Sequence, residues 1–222
     1  MELKPRLAAC ARLCSDGKNI ADIGTDHGYI PLWLVKNGHG GRIAASDIGE
    51  GPLMSARRTA AEENAEDRIE FYLADGLSGL DGGFDTFVIA GMGGDTIIHI
   101  LSSSPFTLED KTLVLQPQSK LERLIPWLFS SGFQIDEAVL AKEGGRLYTV
   151  FRVSWSGERR KAGFAESSAL AALKGDPLYG EYREKIACKL KASISGLRKS
   201  SQPDEKAAEE LEAALREVEE CF

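Results

Sequence analysis

Several acidic residues in the first half of this chain stand beside glycines at the ends of short apolar runs. "NIADIGTDHGYIP" (19–31) supplies Asp22, Gly24, Asp26, His27 and Gly28. "ASDIGE" supplies Asp47 and Ile48, "ADGL" supplies Asp75, Gly76 and Leu77, and "AGMGG" supplies Ala90, Gly91 and Met92. Gln116 follows in "LQPQS". An open α/β sheet binds its ligand at the carboxyl ends of its strands, so these groups share one predicted crevice. Asp47 falls where ribose hydroxyls are gripped, and its oxygens suit a diol. Asp75 falls where an adenine amino group is commonly read.

The first loop has the outline of a nucleotide-binding turn, but an acid, Asp26, replaces its middle glycine. Two unit charges ~4 Å apart are worth about 4 kcal/mol at an effective dielectric near 20. Asp22 and Asp26 would repel a pyrophosphate by that order, since "IADIGTDHGYIP" holds no Lys or Arg. No G-x-x-x-x-G-K-[ST] motif occurs either. A ligand with ribose, adenine and a cationic centre, without phosphate, suits the loop; S-adenosylmethionine fits that description. Each residue also has a plainer reading. Gly24 and Gly28 can make a tight turn, Asp47 can cap the next helix, and Asp75 can be a turn residue.

The elements that must position these side chains alternate. "NIADIG" (19–24), "GRIAASDI" (41–48), "RIEFYLAD" (68–75), "FDTFVIAG" (84–91) and "KTLVLQP" (111–117) read as strands separated by amphipathic helices. That order implies βαβ units and a parallel sheet. "FQIDEAVLAKE" and "RLYTVFRVSW" flank Gly144 and Gly145 with no room for a crossover helix, so they form an antiparallel hairpin. The predicted class is α/β, a Rossmann-like sheet that looks like a class I methyltransferase. Its domain spans residues 1–155, and an α-helical, coiled-coil-like domain spans 156–222.

In that second part Ile186, Leu190, Ile194 and Leu197 form one apolar stripe, and Leu211, Leu215 and Val218 another. "SSQPDE" turns the chain between two helices, with Pro203 at a first helical position. Residues 183–199 carry six Lys/Arg against one acid, and residues 204–220 carry eight acids against two bases. The two arms either pair with each other or leave the basic one for an RNA backbone.

The composition, 43% hydrophobic and 27% charged, is that of an ordinary globular chain. No apolar run approaches a membrane span, and "MELKPRLAACARLC" lacks a signal-peptide core, so a cytoplasmic location is expected. The net charge of −7 argues against strong non-specific nucleic-acid binding but leaves local patches open. Cys10, Cys14, Cys188 and Cys221 form no C-x-x-C pair and read as reduced residues; no metal site is expected.

"ADIGTDHGYIP", "ASDIGEGPLMSARR", "ADGL", "IAGMGGDTIIHIL", "LQPQS" and "GRLYTVF" together resemble the bacterial tRNA (adenine-N1)-methyltransferases of the TrmK family, which modify adenine 22. The resemblance covers about residues 2–155 and implies S-adenosylmethionine as cofactor and tRNA as partner, with no obligatory protein partner. A ring nitrogen already has a lone pair, and "AGMGG" offers only backbone where exocyclic-amine methyltransferases carry [DNS]-P-P-[YFW]. Asp26 is then the candidate anion for the charge that grows on the base, with His27 its partner or a structural residue. Gln116 is expected to orient the adenine edge. Tyr29 is expected to stack on the base or pack inside a helix, and Arg6 to meet the cofactor carboxylate or the tRNA backbone. The target base must be unpaired or extruded, because N1 lies on the Watson–Crick edge. The rival readings are a non-catalytic module that binds RNA or cofactor, and an NAD-dependent dehydrogenase.

Overall fold

The computed structural model describes residues 1–200 and 204–220. Ser201–Pro203, where the turn and its proline were expected, and Cys221 lie outside the described residues.

The chain opens with α1 (Pro5–Cys14), β1 (Ile20–Ile23), α2 (Tyr29–Lys36), β2 (Ile43–Asp47), α3 (Glu50–Glu62) and β3 (Glu70–Leu73). It continues with β4 (Thr86–Gly93), α4 (Gly94–Ser102), β5 (Thr112–Ser119), α5 (Leu121–Ser130), β6 (Phe133–Glu143) and β7 (Arg146–Trp155). Three helices follow: α6 (Phe164–Ser167), α7 (Tyr179–Lys199) and α8 (Glu205–Glu220). One seven-stranded sheet runs β3-β2-β1-β4-β5-β7-β6, parallel from β3 to β5 and antiparallel at β5–β7 and β7–β6. The predicted hairpin is present. Gly144 and Gly145 at φ 55° and 75° give the left-handed pair that a two-residue turn of matching twist requires.

Side chains alternate between the two faces of the central strands. Ile20, Ile43, Val88 and Val114 pack under α1, α2 and α3, whereas Ala21, Phe87, Ile89 and Leu115 pack with residues of α4 and α5. This period-2 rule puts Asp22 and Gln116 on the α1 side. The C-terminal helices are not detached from this body. Leu170, Leu173, Tyr182 and Val218 belong to the same buried cluster as Leu113, Leu128 and Phe133. Asp176 Oδ2 accepts a hydrogen bond from the Leu140 amide of β6 at 2.8 Å, and Lys142 pairs with Glu181 at 2.8 Å.

Candidate active site

Asp22 lies in β1 at the floor of the site, 6% exposed, and its Oδ2 accepts a hydrogen bond from Thr25 Oγ1 at 2.8 Å. Burial pushes its carboxyl up to about 7, the Thr25 bond opposes this, and the Asp47 charge adds to it. The loop that follows is tied down by its own backbone. Gly24 and Thr25 amides both donate to Ser46 O, at 2.8 and 3.0 Å, and the Gly28 amide donates to Thr25 O at 2.9 Å. Gly24 has φ 74°, a conformation strained for most side chains, and a Cβ there would push the Met92 methyl aside, so glycine suits the position. Asp26 sits at φ 47° and Gly28 at φ 68°, which swings the Asp26 carboxylate out of the strand line into solvent. His27 Nε2 is 3.6 Å from Asp26 Oδ2, and the His27 ring stacks on Tyr29 with centroids 5.3 Å apart.

Asp47 Oδ1 accepts from the Gly49 amide at 2.8 Å, which closes a turn ahead of α3; Gly49, not Asp47, is the N-cap of that helix, and no side chain caps it. Among the described residues Asp47 Oδ2 has no partner. Ile48 beside it is 70% exposed, an unusual position for a large apolar side chain. Asp75 is exposed and its carbonyl accepts from both the amide and hydroxyl of Ser78, while Gly76 takes φ 57°. Leu77 is 1% exposed within the main core, so its side chain does not face a ligand; it anchors the turn that presents Asp75.

A crevice of about 670 Å³ opens at the α1 side of the strand ends. Asp22, Gly24, Asp26, His27, Ala90 and Gly91 line it, as expected, together with Tyr29. Gly28, Asp47, Ile48, Asp75, Gly76, Leu77, Met92 and Gln116 do not. Two walls escaped the sequence reading. Thr25 and Gln118 are one, and residues Met1–Lys4 and Leu7 are the other, flanking the expected Arg6 and bringing Lys4 with it to a loop that has no base of its own.

Gln116 is corrected by this geometry. It is fully buried, and both ends of its amide are engaged: Oε1 accepts from Arg6 Nη1 at 2.8 Å and from the Gly91 amide at 3.1 Å, while Nε2 donates to Pro117 O at 3.0 Å. Its oxygen has no acceptor position left, and although one amide N–H is unused the side chain is fully buried, so it cannot offer an adenine edge a paired donor and acceptor. Its work is to hold Arg6 at the crevice and fix the Gly91 bulge, where the β4–β5 register slips between Ala90 and Met92. Arg6 also lies over the Tyr148 ring at 5.8 Å.

Residues 3–151 match the methyltransferase domain family. The tRNA (adenine(22)-N(1))-methyltransferase of Bacillus subtilis is 34% identical over 164 residues, which is 73% of this chain and 68% of that protein. The chain belongs to the tRNA (adenine(22)-N1)-methyltransferase family. The crystal structure of that Bacillus subtilis M1A22 tRNA methyltransferase, TrmK, superposes with TM-score 0.73 at 27% identity, covering 98% of each chain. A Streptococcus pneumoniae structure in complex with S-adenosyl-L-methionine superposes with TM-score 0.82 at 26% identity, over 98% of this chain and 99% of that one. These matches span the C-terminal helices as well as the sheet, so the TrmK architecture extends beyond the methyltransferase domain.

Proposed function

We propose that this protein transfers a methyl group from S-adenosylmethionine to N1 of an adenine in tRNA, position 22 being the one named for its relatives. The observation that carries the reading is the acidic, glycine-lined crevice at the strand ends, with a cation at its rim. Its donor set fits the cofactor. Asp22 is a buried carboxylate without a counter-charge, which an ammonium or sulfonium would provide. Beyond the crevice lining, at the end of the neighbouring strand β2, Asp47 Oδ2 is free for a ribose diol, and Ile48 offers an apolar face to a flat ring. Arg6, held by Gln116, suits the cofactor carboxylate. When bound, S-adenosylmethionine supplies an electrophilic methyl on a positively charged sulfur.

The chain's own residues then have three tasks: to hold the base in line, exclude water and meet the positive charge that appears on the adenine as N1 forms its new bond. Asp26 stands at the crevice with its carboxylate in solvent and is placed for the last. Tyr29, 41% exposed and stacked with His27, offers a ring face to an unstacked base. No group of three or more His, Cys, Asp or Glu among the described residues is arranged to hold a metal. No helix among them is long and apolar enough to cross a membrane; a cytoplasmic setting accords with a tRNA substrate. Incubation of the full chain with labelled S-adenosylmethionine and tRNA, followed by mass spectrometry of the digested RNA, tests the proposal. Label in 1-methyladenosine is expected. RNA bound without transfer favours the non-catalytic module.

Residues 156–222 are assigned the role of holding tRNA. Mutual pairing explains part of the charge pattern: Lys191 meets Glu219 at 3.1 Å, and Arg198 meets Glu205 and Glu212 at 3.3 and 2.8 Å. Lys185 and Lys189 of α7 are exposed and have no ion pair among the described residues. Deleting the tail would uncover Phe133 and Leu128, so charge reversal is the cleaner test. The double substitution Lys185→Glu, Lys189→Glu should raise the KM for tRNA roughly tenfold and flatten the log–log salt slope by about 1.4 to 1.8, with cofactor affinity unchanged. An unaltered KM would assign α7 a packing role.

A further inference from the structure

The reaction proposed above must distinguish adenine while leaving N1 free, which restricts the edge that can be read. A base held by its Watson–Crick edge would present N1 to the protein rather than to the methyl donor. Recognition therefore falls to the Hoogsteen edge, where adenine shows the N6 donor next to the N7 acceptor. A Gln or Asn amide matches that pair with two hydrogen bonds.

Among the described residues lining the crevice, Gln118 is the one amide side chain. It is exposed, and no hydrogen bond among the described residues engages it. It lies two positions beyond Gln116 on β5, so strand alternation turns both toward the α1 side, one buried and one exposed near the strand's carboxyl end. The pairing with β4 passes from Met92–Pro117 to Gly93–Ser119, and Gln118 has no partner on that strand. Such irregularities re-aim side chains next to active sites. Here Gln118 Nε2 and Arg6 Nη1 both come within 3.6 Å of where a Cβ on Gly91 would stand, so the Gln118 head flanks the same bare stretch of backbone as the cofactor-facing guanidinium.

We infer that Gln118 is the residue that specifies adenine, accepting from N6–H with Oε1 and donating to N7 with Nε2. The inference rests on the methyl-transfer reading. It is tested with full-length protein and a ligated tRNA carrying 7-deazaadenosine at the target, which removes the N7 acceptor and keeps N1. Wild-type kcat/KM should fall about tenfold on the deaza tRNA. Gln118→Ala should lose a similar factor on native tRNA and show no further loss on the deaza tRNA. Gln118→Glu, which keeps an acceptor for N6–H but cannot donate to N7, should use the deaza tRNA at least as well as the native one. Equal use of both tRNAs by the wild type, or full discrimination by Gln118→Ala, overturns the assignment. Absence of transfer to native tRNA by the wild type would sink the methyltransferase reading and this inference with it.

Discussion

Replacing Asp26 with asparagine is expected to lower methyl transfer at saturating cofactor and tRNA by at least ~100-fold, while cofactor affinity stays within about tenfold. Asparagine is the right substitution because Asp26 occupies the left-handed region at φ 47°, where Asn is tolerated and alanine would add strain of its own. Asn keeps the shape and one acceptor oxygen and removes only the charge. Asp26 differs from Asp22 in position: it is exposed at the crevice rather than buried beneath it, so a cofactor lying over Asp22 does not depend on it. As the N1–carbon bond forms and the sulfur leaves with its electron pair, the adenine ring becomes a cation and its N6–H grows more acidic. A carboxylate there stabilises the charge or accepts that proton. His27 Nε2 at 3.6 Å is beyond direct hydrogen-bond distance in this arrangement, so His27→Ala should cost less than the loss of Asp26. Calorimetry with the cofactor and single-turnover transfer separate the effects. Full turnover by Asp26→Asn removes Asp26 from the reaction, and parallel losses of affinity and rate make it a cofactor ligand instead.

Chain order made the strand-end acids legible. Once five apolar runs alternate with helices, a parallel sheet brings Asp22, Asp47, Asp75 and "AGMGG" to one edge whatever else is true. The hairpin was equally legible, since Gly144 and Gly145 leave no chain for a crossover. The division of labour between Gln116 and Gln118 was not. Period-2 alternation turns both to one side, and which is buried depends on where α1 crosses the sheet, a tertiary fact. Arg6 was expected at the cofactor carboxylate or the tRNA backbone, but its tether to Gln116 was hidden for the same reason: the loop "IADIGTDHGYIP" holds no base, and the counter-charge arrives from a separate helix. The burial of Leu77 was not legible because a motif position does not say which way a side chain points. The charge pattern of the two C-terminal arms bore only on their pairing or an RNA contact; docking on the sheet through Asp176 and Tyr182 is carried by single residues that composition does not reveal.

The buried acid gives the second large effect, one with opposite signs for stability and binding. Asp22 has an unfolded-state value of 3.8 and a folded value of about 7. Between those pH values the native state binds a proton that the unfolded state releases, so the stability contributed by Asp22 falls as pH rises through the window and levels off above it. At ~1.4 kcal/mol per unit the full penalty approaches roughly 4 kcal/mol, spent on keeping a carboxylate in an apolar floor. Asp22→Asn removes the charge and preserves an acceptor for Thr25. The ligand-free variant should therefore unfold several degrees higher than the wild type at pH 8, with the difference vanishing near pH 4, as read by thermal scans. Cofactor binding should move the other way. A cationic ligand pulls the Asp22 value down, so wild-type affinity should climb from pH 6 to pH 8 with uptake of ligand linked to proton release. The variant's affinity should be lower by more than tenfold at pH 8 and nearly flat with pH. A variant that is less stable at both pH values would mean that the carboxylate is satisfied in the free protein. One that binds cofactor as tightly as the wild type would place the ligand's positive charge elsewhere.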